Sequence, residues 1–349
     1  IPQVGISLAP CPNFRDHLKP RDANEHFETE IEVLSGGYAY RQLFELVQNA
    51  ADAIQESGEV SGRIHVRLEP TRLLAANTGA PLDQDGIVAL LNARSSAKRA
   101  GQIGRFGIGF KSLLKLGGIV DIVSRSIGLR FDPDWCRAKI REHLGLPADA
   151  RAPGMRLAQV LDPNAEDSPL WKYGDFAWAT TVVSAAISDE KAYERLMKEM
   201  EDFPQEFVLF LGADVELTLE FGFGKVRNIS KRRENDEIVT SDGTKDERWR
   251  VFNETVAITD PDALSDAQHL QARDEVPLAW AVPLGARESQ GRFWAFFPTN
   301  TPTLASGILN APWKLNSDRT NIIPGPWNEC LMLAAADLIA ANIGFLATE

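Results

Sequence analysis

The sequence is poor in cysteine, carries no excess of positive charge and contains no long uninterrupted apolar run. Its three cysteines, Cys11, Cys136 and Cys330, are scattered and form no CxxC pair. That argues against a disulfide-stapled scaffold and against a structural zinc site, and leads to the expectation of a reducing, cytoplasmic setting. Basic residues number 37 against 49 acidic ones, a formal charge of −12. A chain this acidic is poorly suited to wrapping nucleic acid by bulk charge, although a local basic patch stays open. No apolar stretch approaches the ~20 residues that span a bilayer, so no membrane is expected. The opening IPQVGISLAPCPNF lacks a basic stretch ahead of an apolar core and does not read as a secretory signal. It also lacks a starting Met, and the chain is expected to belong to a longer gene product.

What is present is ordinary globular material: 349 residues, 44% of them hydrophobic and 25% charged. That length suits one large or two medium domains. No repeat or low-complexity tract interrupts it. Residues 1–20 are rich in Pro and read as irregular. Helices are predicted over Asp22–Leu34, with Asp22 as N-cap, and over Ala39–Glu56. The alternating RIHVRL of Arg63–Leu68 and the run Arg72–Ala76 predict strands. A short helix is expected at Asp85–Leu91, a loop over 92–109, a helix from Phe110 to Leu116 and a strand at Ile119–Ser124. Further strands are expected at Thr180–Ile187, Val215–Phe221, Trp249–Ile258 and Arg292–Phe297, with helices at Asp189–Met200 and Trp327–Ile343. The mixed spacing predicts an α+β fold with a largely antiparallel or mixed sheet. The best division gives domains 1–195 and 196–349.

Three motifs carry chemistry. In Glu45-Leu46-Val47-Gln48-Asn49-Ala50-Ala51-Asp52-Ala53, helical spacing puts residues 45, 49, 52 and 53 on one face and leaves Leu46, Val47, Ala50 and Ile54 for the core. Alone, this also fits an amphipathic helix with a solvated polar face. In Ala76-Asn77-Thr78-Gly79-Ala80-Pro81, a strand delivers an amide side chain into a tight turn where Gly79 permits close backbone approach. Alone, it fits a surface turn. In Gly104-Arg105-Phe106-Gly107-Ile108-Gly109-Phe110-Lys111-Ser112, three glycines precede a helix start, where backbone N–H groups and the helix dipole favour phosphate. It has neither the strand context of a dinucleotide fingerprint nor the Gly-Lys-Ser/Thr of a P-loop.

Together, in this order, the motifs resemble the nucleotide site of the GHKL ATPases: gyrase-type topoisomerases, ninety-kilodalton heat-shock chaperones, histidine kinases and MutL. ELVQNAADA resembles that family's first motif and IGRFGIGFKS the chaperones' third, while ANTGAPL stands where the family mostly has Asp-x-Gly-x-Gly. Thr180 resembles the threonine of the fourth motif. The resemblance covers roughly 20–190. Later in the chain, Asn310-Ala311-Pro312-Trp313-Lys314-Leu315-Asn316-Ser317-Asp318-Arg319 is similar to the segment after the ATPase module in sacsin-like proteins. The fold implied is a Bergerat-type α/β sandwich followed by a second, transducer-like α+β domain.

The resemblance also implies roles. Glu45 would be the general base that activates water, and Asn49 would hold Mg2+ through its amide oxygen. Asp52 would fix the polar network beside the nucleotide, and Ala53 would leave room beneath the base. Asn77 replaces the usual Asp as hydrogen-bond acceptor for the adenine amino group, and its NH2 could instead donate to a ring nitrogen. Gly79 would let the base approach. Gly104, Gly107, Gly109 and Phe110 would form the phosphate loop, with Thr180 beside it. Lys98, in a basic stretch over 92–103, would reach a phosphate from a lid. Arg319, or failing it Lys314, would meet the γ-phosphate from the second domain.

ATP and Mg2+ are therefore the expected ligands, and an ATPase with a chaperone-like conformational cycle the expected function. A homodimer partner or further domains of a longer chain would complete it, and protein client against DNA stays open. The alternatives are a nucleotide-gated binding module with little hydrolysis and a DNA-handling clamp of the MutL or gyrase type, possible members of a bacterial defence system. Lys225, Arg227, Lys231, Arg232 and Arg233 would be the clamp's basic patch, although Glu234, Asp236 and Glu237 beside them fit a mixed-charge hairpin. A histidine kinase is disfavoured, since none of the five histidines sits in a dimerising helix ahead of the ATP site.

Overall fold

A computed structural model of the chain describes residues 20–35, 41–91, 108–162, 174–267, 275–285, 290–316 and 319–346. They fall into two compact units. Unit 1 draws on the chain up to Phe203 and on Leu211–Asn228, and unit 2 on Pro204–Phe210 and the chain from Ile229.

Unit 1 opens with helices α1 (Pro20–Ser35) and α2 (Gln42–Glu56) and the hairpin β1 (Ser61–Glu69) and β2 (Arg72–Asn77). Next come α3 (Gln84–Leu91), the single turn α4 (Ile108–Lys111) and a 3-10 turn at Ser112–Leu116. Strands β3 (Val120–Ser124) and β4 (Ile127–Phe131), helix α5 (Pro133–Leu144) and β5 (Gln159–Leu161) follow. β6 (Thr181–Ala186), α6 (Glu190–Glu201) and β7 (Asp214–Phe221) complete the unit, and β8 (Lys225–Glu234) leaves it. The strand order is β7-β1-β2-β6-β3-β4-β5. β1 pairs with β7 in parallel, and every other pair in this set is antiparallel.

The alternation in β1 decides which way the sheet faces. Ile64, Val66 and Leu68 are buried on the side where α2 and α6 pack. His65 and Arg67 point the other way and share Glu220 of β7, at 3.0 and 2.7 Å. There Phe176 meets the His65 ring edge-on at 5.3 Å, and Arg67 lies over Phe176. Burial pushes the His65 pKa down, against the pull of Glu220. On α2 the apolar stripe Leu43, Leu46, Val47, Ala50 and Ile54 is buried, the i, i+3, i+4, i+7, i+11 pattern of a helix laid on a sheet. Phe44 stacks on Phe203, at the foot of α6, with ring centroids 4.9 Å apart.

Unit 2 contains β9 (Glu237–Ser241), β10 (Asp246–Ala257), α7 (Pro261–Ala267), β11 (Glu275–Pro283), β12 (Gly291–Trp294), β13 (Pro298–Thr303), β14 (Ile308–Asn310) and α8 (Pro326–Leu346). Its strand order is β13-β12-β14-β11-β10-β9-β8, with β12 and β14 parallel. The core gathers Trp280, Trp313 and Trp327 with Leu278, Leu331 and Leu338. Both units are thus mixed α+β, as the sequence pattern suggests.

Two sequence readings need correction. α8 is long and apolar enough, by length and composition, to cross a membrane, with a mean hydropathy of 1.6 over its best window. Here it packs on unit 2 through Trp327, Leu331, Ala335, Leu338 and Leu346, all buried. The second correction is α5, which the sequence reading passes over although its signals are complete. Asp132 caps it, its side chain accepting from the Asp134 and Trp135 amides at 3.0 and 3.1 Å. Pro133 takes the first turn, and Gly145 ends the helix in the left-handed conformation at φ 61°.

Asp132→Ala should remove this cap and cost about 1 kcal/mol, within the usual 0.5–2 range. Urea unfolding of the full chain would read it as a lower midpoint at unchanged slope. An unchanged midpoint would mean that water replaces the carboxylate without loss.

Candidate functional site

Glu45, Asn49 and Asp52 lie on the face of α2 opposite its apolar stripe, and the structure draws them inward. Glu45 and Asp52 are 6% and 4% exposed, and Asn49 is half-buried. A solvated polar face would leave these side chains in water. Burying two carboxylates about two turns apart is costly, and perturbed groups of this kind cluster at functional sites. The Asn49 amide oxygen is sharper still. It is closed off from solvent and accepts no hydrogen bond among the described residues. A dry, unpaired acceptor costs about 1–3 kcal/mol. An amide oxygen is a hard donor, of the kind that can take a cation or accept from a ligand.

The turn after β2 is bound onto this helix. Gly79 sits at φ 106°, and a Cβ there would lie 2.6 Å from the backbone of Ala53 and Ile54. The Ala80 amide donates to the Ala53 carbonyl at 2.8 Å. The immediate reason for glycine at 79 is therefore the closeness of α2. Two more ties fix the turn: the Leu82 amide donates to Ser124 Oγ at 2.8 Å, and Ser124 Oγ meets Thr181 Oγ1 at 2.8 Å. Sequence reasoning did not single out Ser124, buried at the end of β3.

Asn77 closes β2 and is buried. Its Nδ2 donates to the Thr78 carbonyl at 2.7 Å. Because a carbonyl can only accept, that contact fixes which end of the amide is which. The oxygen is the end left over, with no hydrogen bond to it among the described residues. The Thr180 amide donates to the Asn77 carbonyl at 2.8 Å, so these two sequence-predicted residues are direct neighbours.

The third motif enters the described chain at α4, where Gly109 is the second residue of a four-residue helix. Phe110 is buried, with its ring edge-on to Phe131 at 5.2 Å. α4 packs against α1 and α2, and Gln42 Nε2 donates to the Ser112 carbonyl at 3.3 Å. Lys111 is 1% exposed, and burial drags its pKa from 10.5 to about 8 against the attraction of Glu30. Glu30, on α1, is buried and pushed above the ordinary carboxylate value, even though it accepts from two backbone amides. Neither residue was picked out from the sequence. Glu30 carries no local motif, and Lys111 stands in the third motif without a role of its own.

Lys98, Gly104 and Gly107 lie outside the described residues. Arg319 belongs to unit 2. It has φ 55°, and its amide donates to the Asn316 carbonyl at 2.9 Å in a turn that Asn316 Oδ1 also braces through the Thr320 and Asn321 amides. Lys314 is ion-paired with Asp266. The basic residues of β8 are largely engaged. Lys225 pairs with Glu201, Arg232 with Glu234 and Asp246, and Arg227 donates to the Met200, Glu201 and Phe203 carbonyls at the end of α6.

No protein-family model matches this chain. No curated protein matches it. Among solved structures, one described as the crystal structure of the N-terminal domain of a DNA repair protein is similar at 10% identity and a TM-score of 0.41, over 92% of this chain and 99% of that one.

Two outcomes are expected. Gly79→Ala should destabilise by about 2 kcal/mol or more, since it adds backbone strain to a backbone clash. A chemical-unfolding midpoint equal to wild type would show that the turn can move off α2. The second concerns Lys111, whose folded pKa lies below its unfolded value, so the unfolded chain binds more protons between about pH 8 and 10.5. Its contribution to stability therefore rises with pH across that window. The difference in unfolding free energy between wild type and Lys111→Met should shift in favour of wild type from pH 8 to pH 10. A flat difference would mean an ordinary lysine.

Proposed function

We propose that unit 1 is an ATP-binding, ATP-hydrolysing module of the GHKL kind. The observation that carries this is the buried and unpaired amide oxygen of Asn49, on the same helix face as the buried Glu45 and Asp52. The turn holding Asn77 and Gly79 is bound to that helix at Ala53, and Thr180 is bound to Asn77.

The residues fit Mg2+. The ion takes hard oxygen donors and keeps most of its waters, so one side-chain oxygen suffices as the protein's share. Asn49 Oδ1 would be that ligand. When bound, the ion supplies charge neutralisation on the triphosphate. Glu45, nearly dry and one turn before Asn49, would orient a water and take its proton. Asp52 would order the polar groups between the helix and the nucleotide base. Asn77 would face the adenine edge with its free oxygen. The second domain and the chaperone-like cycle rest on the sequence resemblance, as does a contact from Arg319 to the γ-phosphate. The engaged basic residues of β8 weigh against a DNA clamp built on that strand.

ATP with Mg2+ should raise the melting temperature of the full chain by mass action. Glu45→Ala should keep that shift while turnover falls by about 10²–10⁴. Asn49→Ala should lose the Mg2+-dependent part of binding. No shift with ATP, ADP or a non-hydrolysable analogue would remove the nucleotide assignment. Normal turnover in Glu45→Ala would remove Glu45 from the chemistry.

A further inference from the structure

β3 ends at Ser124, in a row of residues that runs across the candidate site. Asn77, Thr181 and Ser124 are register partners on the neighbouring strands β2, β6 and β3, so their side chains share one face of the sheet. From Asn77 the chain runs through the turn to Leu82, and there it comes back to the same row. The Leu82 amide donates to Ser124 Oγ at 2.8 Å. Ser124 Oγ in turn lies 2.8 Å from Thr181 Oγ1, where either hydroxyl can donate. The contacts form a closed ring: Asn77, the turn, Leu82, Ser124, Thr181, and back to Asn77 through the ladder between β2 and β6.

The start and the middle of the turn have their own ties. The Thr78 amide donates to the Arg63 carbonyl, and Thr78 Oγ1 accepts from the Arg63 amide, both at 3.0 Å. Ala80 is tied to Ala53 of α2. The far end is joined to the sheet at Ser124. That residue is 1% exposed and stands just before a tight hairpin, where Arg125 takes φ 50° and donates its amide to the Thr180 carbonyl at 3.1 Å. Its backbone is therefore fixed, and Thr181 orients its hydroxyl. A buried hydroxyl engaged on both sides makes a fixed acceptor. Asn77 stands at the other end of the turn, with its Nδ2 given to the Thr78 carbonyl. Any displacement of Thr78 thus carries the Asn77 oxygen with it.

We propose that Ser124 is a positioning residue: with Thr181 it closes the turn after β2 onto the sheet, holds the Asn77 oxygen at the adenine edge and so sets the preference for adenine. The part that concerns adenine rests on the function proposed above; the closing of the turn does not.

The test uses the full chain with Ser124→Ala, Thr181→Val and Thr181→Ser, and with Asn77→Ala alone and combined with Ser124→Ala. Backbone amide exchange is followed first, in nucleotide-free protein. Leu82 loses its acceptor outright in Ser124→Ala, so the informative amides are Thr78 and Ala80, whose acceptors on Arg63 and Ala53 are untouched. They should exchange about tenfold faster, measured against Val66 and Leu74 within the strands. The Kd for ATP is then compared with that for purine riboside triphosphate, which lacks only the 6-amino group, both with Mg2+. Wild type should prefer ATP. That preference should fall by about fivefold in Ser124→Ala and by less in Thr181→Val, and Thr181→Ser should keep it. The kcat at saturating ATP should change by no more than about twofold. In the Asn77→Ala background, Ser124→Ala should cause no further fall, because the hydroxyl acts through Asn77. Unchanged exchange at Thr78 and Ala80, or a rise shared equally by Val66 and Leu74, would overturn the positioning and leave Ser124 an ordinary core residue. Faster exchange with an unchanged preference, a fall that persists without Asn77, or a wild type that binds both nucleotides equally would overturn the link to adenine. Faster exchange in a chain whose wild type binds neither nucleotide would keep the positioning and sink the nucleotide reading.

Discussion

Everything in unit 1 that bears on chemistry depends on how closely the turn after β2 approaches α2. A hydrogen bond of 2.8 Å from Ala80 to Ala53 draws the two backbones together, and only glycine at 79 fits beneath it. From that contact the rest follows in order. The turn cannot slide along the helix, so Asn77 is held at one place relative to Asn49 and Asp52. The register of β2 against β6 then sets Thr180 beside Asn77. Ser124 takes up the far side of the turn through Leu82. A packed helix and a strand end are thus held as one fixed polar surface by backbone contacts.

The site pays in stability for what it holds. Glu45, Asp52, Glu30 and Lys111 are all nearly dry, and each would be happier in water. The packing beneath supplies the surplus: Ile64, Val66 and Leu73 of the sheet and Ile54 of α2 are buried to within about a per cent, and each contributes of the order of 2 kcal/mol. An apolar face this well packed tolerates a charged layer above it.

Much of this was legible in the sequence, and the exceptions have physical causes. α2 could be read because its apolar and polar positions separate cleanly at helical spacing, and β1 because it alternates. The mixed sheet followed from the order of elements. β8 was passed over as a strand because it is mostly exposed and charged, so no apolar pattern marks it. Its charges are matched by Glu201 and by Glu234 and Asp246, contacts that only the folded sheet creates. Glu30 and Lys111 escaped for a related reason. Each looks like a surface residue in its own helix, and their attraction exists only once α1 and α4 are packed. The asparagine motif gave the residue but not the free oxygen, since the burial of one atom depends on every neighbour.

The two amides of the site share a logic that clarifies the departure at position 77. An aspartate there would present an acceptor whichever way it turned. An asparagine presents an acceptor on one side only, and which side is decided by where its NH2 is spent. Here the NH2 is spent on the Thr78 carbonyl within the turn itself. The oxygen is thereby left over as an acceptor, although the NH2 keeps a second N–H beside the one given to Thr78. On the proposed reading, Asn77 then offers the adenine amino group the same acceptor that aspartate would, as a neutral group and with a weaker bond. Asn49 uses the opposite device: its oxygen has no donor among the described residues. One asparagine is oriented by the fold and the other is kept unsatisfied by it, and both end with an oxygen available. A base-edge acceptor can be neutral and still discriminate, because leaving an adenine donor unpaired in a dry site is penalised more than the bond itself is worth. On the proposed reading, Asn at position 77 therefore holds the base by a weaker bond than Asp would.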